Sequence, residues 1–452
     1  MTTERPPSSW SDTEKRLWRA YRRGERLDLR AGDARLDDPS RTADWPADRT
    51  VRADALALLL LHGPQPEPGR SCRLDLLGAR VTGRLDLTGA TVAVPVKLMA
   101  CGFAERVVLD YAEVTWWNLD GSHLPGLDGE GLRVGLWLGL RNGTVADELW
   151  LHDARISGGL DLSGTTLRGS GGFALMGKQM TVDGGLRARG LRAAGELRLS
   201  RSRIGGTLDL TGARLSPATG ADGAADLEDL RAQRLLLDLD PSSRGTVSLA
   251  AAEIGTLVAT PGSWPGRCTL DLAGTTFTAL EPVADCPPRT RLDWLTRHVA
   301  APSPAVHARV AAAYRQAGQE QAARTVLIRQ ERLRHRSFGP AGRIWGLLLE
   351  AVVGFGYRPA RALLWLALLV AAGTAYFGLT GPPRPVNPAG GPTWDPLLYV
   401  LDLVVPFLGL GQRTAWDPAH AAKAVALSLT VAGWVLATAV AGGAARVLNR
   451  ST

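Results

Sequence analysis

Apolar residues between Cys72 and Leu280 recur in pairs separated by a single residue, as in Leu74-Asp75-Leu76. Alternate residues of a strand face the same side, so both members of each pair point to one interior. A glycine commonly follows two residues later, where the chain can turn with a positive φ. The steps are mostly eleven residues, with first members at 74, 85, 96, 107, 117, 149, 160, 173, 186, 197, 208, 247, 257 and 270. The pattern predicts short strands joined by tight corners.

One eleven-residue unit is too short to enclose a core, whereas stacked units bury a continuous apolar column. We therefore expect a mainly β fold over residues 67–282, a right-handed β-helix-like solenoid with about 22 residues per coil. Leu74, Leu85, Leu160 and Leu208 should point inward.

The residue between paired leucines should face outward. In a 22-residue coil Asp75 would lie under Lys97, and Asp161, Arg187 and Asp209 would follow one another. Coils stack about 4.8 Å apart, so such alternating charges would pair. The alternative is that they are unrelated solvated charges.

Helices are predicted on both sides of the repeats. Ser11-Asp12-Thr13-Glu14 forms a capping box before a helix over 14–23. With a second helix over 51–62, it should make residues 1–66 an N-terminal cap that covers the open end of the solenoid. Helices are predicted over 291–300, 305–316 and 321–335. The last two, separated by Gly318, are similar to one tetratricopeptide-like hairpin, and 283–345 is interpreted as a helical connector.

The last third contains two uncharged apolar runs, 362–379 and 424–444, long enough to cross a hydrocarbon core of about 30 Å. We expect residues 346–452 to form a membrane domain with two transmembrane helices. Ala367, Ala371 and Ala375 would provide a small packing face on the first. The segment 395–411 should be interfacial or re-entrant. Its Asp402 is an ionisable group at membrane depth, so a small channel or transporter is an alternative function.

The net charge of +8 is concentrated in residues 324–361, which hold eight arginines and two acids. The positive-inside rule then places both termini in the cytoplasm of a multi-pass plasma-membrane protein. Arg329, Arg332 and Arg336 share one helix face, which favours contact with anionic membrane lipids. Nucleic acid is a less favoured partner, because no aromatic residue interleaves these arginines.

Two resemblances accompany this pattern. The L-D-L-x-G-A phrase resembles pentapeptide-repeat proteins, with a period near eleven instead of five. Nearly the whole chain is similar to a group of actinobacterial membrane proteins, through Arg49-Thr50-Val51-Arg52-Ala53, the repeats, and Gly354-Phe355-Gly356-Tyr357-Arg358-Pro359-Ala360-Arg361-Ala362-Leu363. Those proteins are often labelled membrane-associated oxidoreductases, so the resemblance implies a membrane enzyme.

Local motifs for that chemistry are not found. Residues 169–174 match G-x-G-x-x-A and residues 129–135 are glycine-rich. The first coincides with a predicted repeat strand and the second is followed by one, so no helix can begin at either. The seven histidines have no i, i+4 pair, and the four cysteines have no metal-binding spacing. We therefore expect no cofactor, no metal and buried, inert cysteines.

Trp137 and Trp150 are the unusual outward side chains of the repeats. Exposed aromatic clusters favour interfaces, although a loop or the cap could instead cover these two. The sequence therefore favours a membrane-anchored cytoplasmic solenoid that binds or scaffolds a protein partner. The alternatives are a membrane-associated enzyme and a small channel or transporter regulated by the solenoid.

Overall fold

A computed structural model describes residues 5–283, 285–300, 303–336, 359–387, 392–405 and 407–448. The chain divides into two compact units, residues 1–323 and 324–452. The boundary falls inside the predicted connector 283–345, and each unit is described by itself below.

The first unit is built from short strands. Numbered in chain order they are β1 Leu27–Asp28, β2 Thr50–Arg52, β3 Leu74–Leu77, β4 Arg80–Thr82, β5 Leu85–Asp86, β6 Thr91–Val92, β7 Val96–Met99, β8 Gly102–Phe103, β9 Val107–Val108, β10 Glu113–Asn118, β11 His123–Leu124, β12 Leu127–Asp128, β13 Arg133–Gly139, β14 Thr144–Val145, β15 Leu149–Trp150, β16 Arg155–Ile156, β17 Gly159–Asp161, β18 Thr166–Met176, β19 Thr181–Val182, β20 Leu186–Arg187, β21 Arg192–Arg198, β22 Arg203–Asp209, β23 Arg214–Ser216, β24 Gly223–Asp226, β25 Arg231–Leu236, β26 Arg244–Ser248, β27 Glu253–Val258, β28 Arg267–Asp271 and β29 Thr276–Glu281.

These strands form two parallel sheets of 14 and 15 strands, here called sheet A and sheet B. Every coil contributes segments to both sheets. Leu138 pairs with Leu160, Leu186 with Leu208 and Leu235 with Leu257, each 22 residues further along the chain. The predicted β-solenoid of about 22 residues per coil is confirmed, with about 9 turns. Its right-handedness stays a prediction.

The corners of the solenoid explain the eleven-residue period. Gly78, Gly89, Gly164 and Gly212 have φ values of 66–69°. Non-glycine residues occupy the equivalent corners elsewhere with φ values of 49–61°: Ala100, Tyr111, Asn142, Asp153, Gln179, Arg201, Asp229 and Ala251. The left-handed corner therefore recurs at each half coil, and glycine is the easiest residue to place there.

The four leucines predicted to face inward, Leu74, Leu85, Leu160 and Leu208, are at most 1% exposed. The prediction that Phe173 faces inward was wrong. The inward residue in β18 is Leu175, which pairs with Leu149 and Leu197, and Phe173 is only half-buried. The register shifts between Arg168 and Phe173, so the intervening residues bulge outward and displace the frame that the sequence indicated.

The N-terminal cap begins with α1, Asp12–Arg23, and the predicted capping box is present. The Ser11 hydroxyl accepts the backbone N–H of Glu14, and the Glu14 carboxylate accepts that of Ser11. α2 covers Ala53–His62, and two 3₁₀ turns cover Pro39–Asp44 and Ala47–Arg49. β1 and β2 pair with β3 and β4, so the cap protects the first coil's edges by extending both sheets.

The other end of the solenoid is also capped. α3, Pro288–His298, and α4, Pro304–Gln316, follow the last coil. The fully buried Arg291 donates to the carbonyl oxygens of Ala259 (2.6 Å) and Pro282 (2.9 Å). The Tyr314 hydroxyl donates to the Cys286 carbonyl. These helices therefore close the solenoid, a role that the connector interpretation missed. α5, Glu320–Arg336, follows them.

The second unit contains α6 Pro359–Thr380, α7 Pro396–Val404, α8 Gln412–Ala415 and α9 Ala421–Leu448, with a small antiparallel ladder of β30 Arg384–Pro385 and β31 Trp416–Asp417. Phe377 of α6 and Leu429 of α9 pack around α7. Glycine permits this contact, because a Cβ at Gly433 would fall on the Val404 carbonyl.

The prediction that small residues form the packing face of α6 is wrong. Ala367, Ala371 and Ala375 are exposed, while Gly373 and Phe377 on another side of the helix are buried. The outward faces of α6 and α9 also carry large apolar side chains, including Leu368 and Trp434.

The prediction of transmembrane helices over 362–379 and 424–444 is corrected. In the part of the chain that the structure describes, no helix combines the length and the hydropathy that a membrane crossing needs. The absence of charge in these two runs is not sufficient, because a crossing needs a helix that is both long enough and apolar enough. The membrane domain 346–452 and the multi-pass plasma-membrane placement with cytoplasmic termini are not supported.

Candidate functional site

One outer column of sheet A follows the predicted order of charges. Asp75 pairs in register with Lys97, Asp161 with Arg187, and Arg187 with Asp209. The predicted ion pairs along the column are absent among the described residues. Asp75 instead pairs with Arg26 at 3.0 Å, and Asp209 pairs with Arg189 of the next corner.

The repeat aspartates have another role. The Asp161 carboxylate accepts the backbone N–H of Ser163 at 3.0 Å, and Asp209 accepts that of Thr211 at 3.0 Å. Asp86, Asp226 and Asp271 make the same bond to the residue two positions on. These are Asx turns, in which the side chain takes the place of a backbone acceptor at the corner. The carboxylates are consequently folded onto the turns and away from the column.

The two cations of the column lie over tryptophan rings. The Lys97 Nζ is 5.5 Å from the centre of the Trp116 ring, and the Arg187 Cζ is 5.4 Å from the centre of the Trp137 ring. Both distances allow cation–π attraction. Within the described residues neither cation forms an ion pair.

Trp116 and Trp137 are neighbours across one coil step, because their strands pair at these two positions. Trp137 lies against Gly159 of the adjacent strand and Gly139 of its own strand. A Cβ at Gly159 would approach the Trp137 ring to 2.6 Å, and one at Gly139 would approach its Nε1 to 3.0 Å. The preceding Leu136 is 55% exposed. We call Lys97, Trp116, Leu136, Trp137 and Arg187 the tryptophan surface.

Trp150 does not belong to this surface. It lies in β15 of sheet B, in register between Asp128 and Met176, whereas Trp137 lies in sheet A. Both indoles are half-buried. The sequence therefore identified one member of the surface and paired it with a residue of the other sheet. Trp116 could have been found, because the repeat frame directs Trp117 inward and leaves its neighbour outside.

The other predicted site residues lie outside the solenoid. Arg329, Arg332 and Arg336 are on α5, and Arg329 is half-buried. The side chains of Arg332 and Arg336 fall outside the described part of the chain. Their interpretation as membrane-surface contacts relied on the neighbouring spans and loses that basis.

Asp402 lies within the predicted interfacial segment 395–411, on α7, and is 7% exposed. Its carboxylate accepts the backbone N–H groups of Leu410 (2.9 Å) and Arg413 (2.8 Å). Asp402 therefore holds the loop after α7 in place. This role requires no ion pathway.

One glycine-rich segment lies on a strand, as the repeat frame indicated, and the other covers a turn and the start of the strand that follows it. Residues 169–174 lie within β18, and residues 129–135 join β12 to β13. Neither precedes a helix N-terminus, which a dinucleotide-binding turn requires. Burial raises the pKa of the Cys101 thiol to about 12 and that of Cys268 to about 11, so both thiols are poor nucleophiles at neutral pH.

No protein-family model matches the chain, and no curated protein or solved structure is significantly similar to it. The tryptophan surface is therefore interpreted from its own geometry.

Proposed function

We propose that the solenoid is a binding scaffold and that the tryptophan surface docks a protein partner. The observation that carries this proposal is the exposed Leu136 beside two in-register tryptophans on a sheet face. Tryptophan dominates the energetic centres of protein interfaces, because a rigid ring buries a large area at little entropic cost. Parallel strands hold these rings in place before binding, which reduces the cost of association.

The flanking charges favour one kind of partner. Lys97 and Arg187 lie at the two ends of the surface, while the nearby aspartates are folded onto their turns. A complementary partner would insert an apolar side chain between the tryptophans and place carboxylates beside the two cations. Such complementarity sets the specificity and the rate of association.

The first experiment uses a photo-reactive phenylalanine analogue at position 136 of the full-length protein, with the same analogue at position 150 as control. The protein cross-linked only from position 136 is then purified. Its binding to the unmodified full-length chain is measured by calorimetry.

Trp116→Ala and Trp137→Ala should each weaken this binding about thirtyfold, the effect of losing a tryptophan at an interface centre. Trp150→Ala is the matched control, since it makes the same change on sheet B, and it should leave the affinity unchanged. Lys97→Glu with Arg187→Glu should slow association. Equal losses for Trp137→Ala and Trp150→Ala, or no partner from position 136, would contradict the proposal.

A further inference from the structure

A groove on the solenoid lies between the loop after β23 and the strands β26 and β28. Its volume is about 690 Å³, and its lining includes Asp222, Arg244, Thr246, Arg267 and Thr269. A smaller depression of about 360 Å³ adjoins it through Arg244 and Arg267 and also contains Arg214, Ser216 and Ser242. We call Arg214, Arg244, Arg267, Thr246 and Thr269 the arginine groove.

Arginines on neighbouring coils stack here. Arg244 pairs in register with Arg267, one coil away, and Arg192 pairs with Arg214. Adjacent coils are about 4.8 Å apart, and like charges directly opposite one another destabilise a sheet. All four side chains are exposed, and in the described part of the chain none of them forms an ion pair. The folded chain thus tolerates a repulsion that it does not compensate.

Elsewhere in the same coils arginines are paired. Arg198 binds Asp226 at 3.3 Å and Arg231 binds Glu253 at 3.2 Å. Arg155 and Arg203 also lack an ion pair among the described residues, and each is in register with another arginine, Arg133 and Arg231. Those two arginines are compensated, because Arg133 binds Glu113 and Arg231 binds Glu253. The arginine groove therefore differs from these positions because, among the described residues, both arginines of an in-register pair lack an ion pair.

The remaining lining is polar. Thr246 and Thr269 are in register and add two hydroxyl donors beside Arg244 and Arg267. Asp222 lines the groove, and Asp240 lies near it, its carboxylate accepting the Ser242 backbone N–H at 2.8 Å. Hydrogen bonds from Ser242 and then the charges of Arg214 and Arg192 hold the pKa of Asp240 below its ordinary value. Four arginines against two aspartates leave the region positive.

The lining also limits the ligand. The groove residues include no aromatic side chain, so a nucleobase would have no stacking partner. The apolar lining is confined to Pro217, Ala218 and Ala221, which gives little affinity for a hydrophobic ligand. Two guanidinium forks one coil apart can each bind one phosphate bidentately.

We propose that the arginine groove binds an anion with at least two linked phosphate groups and no aromatic base, an inorganic oligophosphate being the simplest case. One phosphate lies against Arg244 and the next against Arg267, with Thr246 and Thr269 donating hydrogen bonds. The negative charge of the ligand offsets the repulsion between the in-register arginines, which have no acidic partner among the described residues.

The test is calorimetric titration of the full-length protein with inorganic tripolyphosphate at physiological salt. Arg244→Gln with Arg267→Gln should weaken binding at least tenfold. Arg155→Gln with Arg203→Gln is the matched control, since it removes the same charge from two exposed, unpaired arginines of sheet A. The control should change the affinity by less than twofold, and unchanged thermal melting would verify that both variants fold.

Absence of tripolyphosphate binding to the unmodified protein would overturn the proposal, and so would equal weakening in the two double variants, which would indicate bulk charge alone. Citrate and ATP separate the possible ligand chemistries. Citrate binding as tight as tripolyphosphate would contradict the preference for phosphate, and tighter binding of ATP would contradict the absence of a base site. Because the tryptophan surface is in sheet A and the groove strands are in sheet B, Trp137→Ala should leave this binding unchanged.

Discussion

At the scale of single residues, the aspartate of the repeated phrase stabilises a corner. Asp209 is 4% exposed and holds the Thr211 N–H, with Arg189 as its outer partner. Because Arg189 is mostly exposed, the ion pair should contribute little. The hydrogen bond to the backbone should contribute more, since its loss leaves the N–H of the half-buried Thr211 unpaired.

We expect Asp209→Asn to cost less than about 1 kcal/mol of unfolding free energy at pH 7, because asparagine also forms Asx turns. Asp209→Ala should cost about 1–2 kcal/mol more. Denaturant titrations of the two variants measure the difference. Equal losses would show that the charge, and not the turn, is what matters.

The hydrogen bonds of Asp209 also predict that the stability of the protein depends on pH. Burial raises the pKa of Asp209, but hydrogen bonds from Thr211 and Arg189 outweigh it and hold the pKa below its ordinary value of 3.8. The stability due to ionised Asp209 is therefore present above about pH 3.8 and is lost as the pH falls through the lower folded value. The stability difference between the native protein and Asp209→Asn should shrink over that acidic range.

At the scale of elements, close approach between coils requires glycine at particular positions. The Gly184 N–H donates to the Gly158 carbonyl at 2.8 Å, and a Cβ at Gly184 would fall on that same oxygen. Neither atom can move without shifting a coil. The glycine content of the repeats therefore reflects stacking as well as corners.

Gly184→Ala should destabilise the solenoid by about 1–3 kcal/mol, as overpacking of a well-packed interior does. Gly262→Ala is the control, because a Cβ at Gly262 meets no atom within 4 Å. Thermal unfolding followed by circular dichroism distinguishes them. A neutral Gly184→Ala would mean that the coils are less closely stacked.

At the scale of the first unit, stability is the sum of contacts between neighbouring coils, so the ends must be covered. The N-terminal cap adds β1 and β2 to the sheets, and α3 and α4 cover the last coil. Leu270 also bridges to Val299, which continues one sheet beyond the last coil.

A fragment of residues 1–336 should be monomeric and unfold cooperatively. A fragment of residues 1–283 lacks α3 and α4 and exposes the edge of the last coil, so it should self-associate, because a bare edge pairs with other chains. Sedimentation velocity across a concentration series measures this. A monomeric shorter fragment would show that these helices are dispensable.

A feature of the fold could be predicted from the sequence when the residues that interact to form it are close together in the chain. The eleven-residue phrase predicted the solenoid, the inward leucines and the charge register, because each coil repeats one local rule. The Asx turns were also within reach, since Asp209-Leu210-Thr211 and Asp161-Leu162-Ser163 place the partner two residues away. The orientation of Phe173 was predicted wrongly because a four-residue bulge before it interrupts the period. Gly169, Gly171 and Gly172 are a local sign of such a bulge, since glycine within a strand often marks one.

The sequence by itself determined which residues face the core and where the chain turns, because alternation along a strand and glycine at a corner act within a few residues. Tertiary structure alone decided which distant side chains meet. It placed Trp116 beside Trp137 and separated both from Trp150, directed Arg187 onto a ring instead of a carboxylate, and aligned Arg244 with Arg267. Trp116 and Trp137 are about one coil apart in sequence, as are Arg244 and Arg267, whereas Arg187 and Trp137 are about two coils apart. Bulges and loops between them set a register that composition does not encode.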